Sequence, residues 1–166
     1  MNLPPWLDAV GLALRLGLWQ QFGLAFLLGS FSVATWSDLK RLSAQREFVE
    51  IWLLFVLAML AFDVYHVYAG QTSALNVGVK WGLIALLSVL SLRQIGVLFR
   101  LAPADVAALA AAASLLTPGL IVLFYAVAKL IASAVRPILA RGRSAWPFMP
   151  VVSLATLAVV AIGWWL

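Results

Sequence analysis

Cysteine is absent from this 166-residue chain, and histidine occurs once, as His66. Without cysteine there is no disulfide, no thiol nucleophile and no Cys-ligated zinc or iron–sulfur centre. A single histidine also makes a His-based metal site implausible, so no metal and no other cofactor is expected. Charge is scarce as well. Asp, Glu, Lys and Arg make up 10% of the residues, against about 25% in soluble domains. There are 6 acidic and 11 basic side chains, a formal net charge of +5. The basic residues fall in short connectors between apolar runs, which marks membrane orientation and gives no sign of a nucleic-acid partner.

Apolar residues fill the space that charge leaves. The chain is 65% hydrophobic and has a mean hydropathy of +1.07, which leaves no room for a sizeable soluble domain. Six apolar runs can be placed, at about 9–37, 49–68, 74–92, 102–117, 119–135 and 149–166. A span of about 20 residues crosses a bilayer core of roughly 30 Å. The expected fold is therefore an all-α polytopic membrane protein with six transmembrane helices in a single domain, 1–166. The N-terminal residues lack the basic n-region of a signal peptide, so the first run is read as a permanent span. The fourth run is short and rich in alanine, which suits a helix lying between neighbours and not against lipid.

The connectors 38–48, 93–101 and 136–148 carry Lys40, Arg41, Arg46, Arg93, Arg100, Arg136, Arg141 and Arg143, eight of the 11 basic residues. With six spans these connectors share one side, which should be cytoplasmic, and both termini then lie on the non-cytoplasmic side. Arg15 and Lys129 are expected to snorkel from their spans or, for Lys129, to face the bundle interior.

The stretch 101–118 organises the chain. Pro103 suits the first turn of a helix, Pro118 closes the segment, and Asp105 sits near the helix start. A carboxylate there is favoured by the helix dipole, so a capping role is the ordinary explanation. Asp38, at the end of the first run, falls at the same depth on the same face. Glu47 and Glu50 open the second run, where the dipole accounts for them. Asp8 and Asp63 lie elsewhere, and Asp63 is expected to pair with His66, three residues along one helix face.

Two carboxylates that share a site cannot easily both ionise, so the pair holds one proton between them. One member then activates water while the other polarises a carbonyl, which is the chemistry of aspartic proteolysis. Ser37-Asp38-Leu39-Lys40-Arg41 resembles the aspartate-plus-basic motif of prepilin and preflagellin peptidases. Ala102-Pro103-Ala104-Asp105 is similar to the GxGD segment of that family, and Trp146-Pro147-Phe148-Met149-Pro150 to its C-terminal part. The resemblance covers about 25–166 and is nearest to the short archaeal form.

It implies a membrane aspartic endopeptidase with Asp38 and Asp105 as the catalytic pair. Its partners would be pilin-like or flagellin-like precursors bearing class III signal peptides, cut at the cytoplasmic edge of the cell membrane. Lys40, Arg41, Ala102, Pro103 and Ala104 are the candidate substrate contacts. The cysteine-bearing insertion of the bacterial form is missing, so methyltransferase activity is not expected. Both glycines of GxGD are alanine here, and Ala102 would resist backbone geometry that glycine permits. A small transporter or channel, or a non-catalytic scaffold of a pilus-type assembly system, is the alternative.

Overall fold

The computed structural model describes residues 16–41, 46–140 and 146–165. Six helices follow one another: α1 (Leu18–Arg41), α2 (Arg46–Tyr68), α3 (Ala74–Ser91), α4 (Pro103–Ser114), α5 (Pro118–Ala140) and α6 (Met149–Trp165). Among the described residues there is no strand, only an isolated bridge between Leu92 and Leu101. The N-terminal segment with Asp8 and Arg15, and the connector with Arg141 and Arg143, lie outside the described residues.

The helices match the six apolar runs, with several boundaries shifted. α1 continues past 37 to Arg41. Nothing in Asp38-Leu39-Lys40-Arg41 breaks a helix, and two cations in the last turn complement the dipole. Pro118 does not sit in a turn but opens α5, where its missing N–H costs nothing. The reversal itself uses 115–117. α5 then runs through Pro137 to Ala140, five residues beyond the expected end.

α4 is the centre of the molecule. It packs against α1, α2, α3 and α6, while α2 on α3, α3 on α5, α5 on α6 and α6 on α1 enclose it. Eight of its 12 residues are buried, among them Ala107, Ala108, Ala111, Ala112 and Ala113. Methyl side chains let the surrounding backbones come close, which is how helices associate where lipid is as apolar as leucine. Just beyond α4, Leu115 approaches Gly23 of α1 so closely that a Cβ there would stand 2.8 Å from its Cδ1. Polar atoms inside the bundle find partners across it: Thr35 meets Ser153 at 2.9 Å, joining α1 to α6. Trp52 Nε1 donates to Ser30 Oγ at 3.1 Å and joins α2 to α1.

Four helices, Leu18–Lys40, Arg46–Tyr68, Ala74–Ser91 and Pro118–Leu139, are long and apolar enough to cross a membrane. Their outward side chains include Phe22, Leu54, Leu86 and Leu130, an apolar surface that water would not tolerate but lipid does. α4 is about 18 Å long at 1.5 Å per residue, shorter than the hydrocarbon core. Its burial within the other helices makes that shortness tolerable.

Candidate active site

Asp38 occupies the last turn of α1 and is buried, 6% exposed. Its Oδ2 accepts the backbone N–H of Met149, the first residue of α6, at 3.1 Å. The Phe148 amide also acts on this carboxylate. The first amides of a helix have no partner within it, and a negative charge is favoured at that end. Asp38 therefore meets a need of α6 created by the packing of α1 against it.

Asp105 is the third residue of α4 and is half-buried. Its backbone N–H reaches back to the Ala102 carbonyl at 3.1 Å, and its carboxylate draws on the Ala102 amide. Asp38 and Asp105 lie close enough for the charge of one to act directly on the other. Two carboxylates 67 positions apart in the sequence, from α1 and α4, thus converge at one end of the bundle.

Buried apolar residues neighbour the two aspartates along the chain or pack on those that do. Phe99, Leu101, Val106, Phe148 and Met149 are all buried. Phe99 stands edge-on to Phe148 at 5.3 Å, and Trp146 edge-on to Phe148 at 5.5 Å. Phe99 belongs to the connector from α3 to α4, which folds back along the end of α3. Leu98 N–H donates to Leu90 at 3.1 Å, Leu101 N–H to Ser91 at 3.0 Å, and Arg93 N–H to Leu101 at 3.0 Å. Gly96 turns this hairpin with φ of +60°, a left-handed conformation that glycine adopts without strain. On α5, the Lys129 ammonium donates to the Leu98 carbonyl and lies 5.2 Å from the centre of the Phe99 ring.

The other candidates divide. Ala102 and Pro103 are exposed and Ala104 half-buried, forming the edge beside Asp105. Ala102 has φ −68° and ψ 154°, ordinary extended backbone, so no glycine is required there. Lys40 is exposed and sits over the Trp36 ring at 4.5 Å. Arg41 ends α1, and its side chain is not among those described. Glu50 makes an exposed ion pair with Arg46 at 2.8 Å, a helix-surface contact of little energetic weight.

Asp63 does not pair with His66. It accepts from Lys80 Nζ at 2.7 Å and from Trp81 Nε1 at 2.9 Å, both on α3. His66 Nδ1 lies 2.9 Å from the Phe62 carbonyl instead. A charge-assisted bond from an ammonium is among the strongest a carboxylate can accept. The pair borders a cavity of roughly 120 Å³ with Gln20, Thr72 and Asn76, at the end of the bundle away from Asp38. Among the described residues, no three His, Asp or Glu side chains gather as a metal site would require.

Sequence reasoning missed the contribution of α6 and of the connector. One signal was present: Pro150 in the first turn of α6 marks a helix start whose free amides invite a carboxylate. Nothing in the sequence pattern pointed Lys129 at Leu98. No protein-family model matches the chain, and no curated protein or solved structure matches it either.

Proposed function

We propose that this chain is a membrane aspartic endopeptidase that cleaves class III, pilin-like or preflagellin-like signal peptides at the cytoplasmic edge of the cell membrane. In this proposal all six helices lie within the bilayer, four spanning it by themselves, and both termini face away from the cytoplasm. The observation that carries it is that Asp38 and Asp105 lie within reach of each other's charge, with Asp38 held by the Met149 N–H beside the buried Phe148.

A pair of carboxylates sharing one proton divides the work of hydrolysis. The ionised member takes a proton from a water held between them, and the water oxygen attacks the peptide carbonyl. The protonated member donates to the carbonyl oxygen as it becomes tetrahedral. Collapse of that intermediate breaks the C–N bond, the leaving nitrogen takes a proton, and the pair returns to its starting state. A precursor with a basic leader and an apolar helix would be positioned by the bilayer, since insertion of its helix leaves the scissile bond at the carboxylates' depth. The extended, exposed backbone at Ala102 is suited to contact a peptide there, where lipid supplies no hydrogen bonds.

The test is incubation of the purified protein with a pilin-like precursor in lipid. A shortened product is expected from the unmodified chain and none from Asp38→Asn or Asp105→Asn. One observation favours the scaffold alternative, namely that Asp38 already serves as a partner for the α6 amides. Asparagine keeps an acceptor oxygen, so it preserves that structural role while removing the ionisable group. A folded Asp38→Asn protein that still cleaves would end the peptidase proposal.

A further inference from the structure

Lys129 stands 11 residues into α5, about 16 Å along its axis, near the middle of a helix long enough to span. A charged side chain at that depth is costly, so its presence calls for a compensating contact. That contact is the carbonyl of Leu98. The connector 92–102 is irregular backbone that folds back onto the last turns of α3, with Leu98 bonded to Leu90. Non-helical backbone at membrane depth is tolerated only where protein satisfies its polar groups. Lys129, exposed on α5, therefore ties the connector to that helix, and it stands over the Phe99 ring at 5.2 Å.

From there two short routes lead to the carboxylates. Phe99 packs edge-on against Phe148, the residue before Met149, whose N–H is bonded to Asp38. In the other direction the connector ends at Ala102, whose amide acts on Asp105. We infer that Lys129 is a positioning residue for the Asp38–Asp105 pair, acting through the 92–102 connector. The inference rests on the peptidase proposal for its consequence in catalysis, but the latch itself has an independent readout.

The experiment compares Lys129→Met and Lys129→Arg with the unmodified full-length protein in lipid nanodiscs. It follows hydrogen exchange at the 93–101 amides, thermal stability, and cleavage of a pilin-like precursor. Methionine keeps the apolar length and removes the donor; arginine keeps a charged donor. Lys129→Met is expected to speed exchange of the connector amides and lower kcat about tenfold, equivalent to about 1.4 kcal/mol. KM should change by less than about threefold, because positioning acts on the reacting groups and not on the bulk of the bound peptide. Its melting temperature should not fall, since removing an ammonium from hydrocarbon offsets the lost contact. Lys129→Arg should restore both connector protection and most of kcat.

Unchanged connector exchange in Lys129→Met would overturn the inference. So would a melting temperature that falls in step with activity, the mark of a merely structural residue. If the unmodified protein does not cleave, the peptidase proposal fails while the exchange measurement still decides whether Lys129 holds the connector.

Discussion

Replacing Asp38 by alanine and by asparagine separates its support of α6 from the catalysis proposed for it. Alanine removes the acceptor for Met149 N–H, a 3.1 Å bond in a buried setting. A stranded buried N–H costs about 1–3 kcal/mol. Alanine also removes a negative charge from the start of α6, worth about 0.3–1 kcal/mol. The sum is a loss of about 1–4 kcal/mol for Asp38→Ala. Asparagine retains an acceptor and loses only the charge, and relief from burying that charge works in the opposite direction. Asp38→Asn should therefore stay within about 1 kcal/mol of the unmodified protein. Unfolding in detergent gives the stability difference, and hydrogen exchange at Val151 and Val152 reports whether the first turn of α6 has frayed. Both variants should fail to cleave, while only alanine should fray α6. Equal stability of the two variants would mean that the Met149 contact contributes nothing. Fraying in Asp38→Asn as severe as in Asp38→Ala would show that charge, not the hydrogen bond, secures the helix.

The number and places of the helices were legible in the sequence because lipid-facing helices must be apolar around most of their circumference, and charge can gather only where they end. That Asp38 and Asp105 fall at one end of the bundle followed from counting along the helices, since one ends α1 and the other opens α4. What composition cannot supply is azimuth. Asp63 and His66 share a face of α2 by spacing, yet Lys80 and Trp81 on α3 take the carboxylate, and their direction depends on how α2 packs against α3. Lys129 is a clearer case. In the sequence it is a costly cation in mid-span, and only the fold-back of the 92–102 connector places a carbonyl beneath it. Ala102 was expected to resist the backbone geometry of a segment that resembles GxGD. The backbone at Ala102 is ordinary extended chain, so the resemblance exaggerated the importance of glycine there.

Ala102→Gly and Ala104→Gly should each leave cleavage intact and lower stability by about 0.5–1 kcal/mol, since glycine adds only unfolded-state freedom where the native φ already suits alanine. A large loss of cleavage with unchanged stability would show instead that the methyl groups touch the substrate. The last prediction concerns Asp63 and Lys80, whose side chains are 16% and 12% exposed. Breaking a buried pair by removing one partner strands the other, at a cost of about 3–5 kcal/mol when burial is complete. Partial exposure moves the expected loss for Lys80→Met or Asp63→Leu to the lower part of that range. Asp63→Leu combined with Lys80→Met leaves no unpaired charge and strands only the Trp81 Nε1 donor, so the double variant should recover much of the stability lost by either single change. Cleavage should be unaffected throughout, because the pair lies at the end of the bundle away from Asp38. Unfolding of the four proteins in one detergent closes the thermodynamic cycle. Additive losses in the double variant would mean that Asp63 and Lys80 act separately, with Trp81 and the polar cavity satisfying them one by one. Loss of cleavage in a stable double variant would mean that the two ends of the bundle are coupled through α4, the helix that touches both α2 and α3 and carries Asp105.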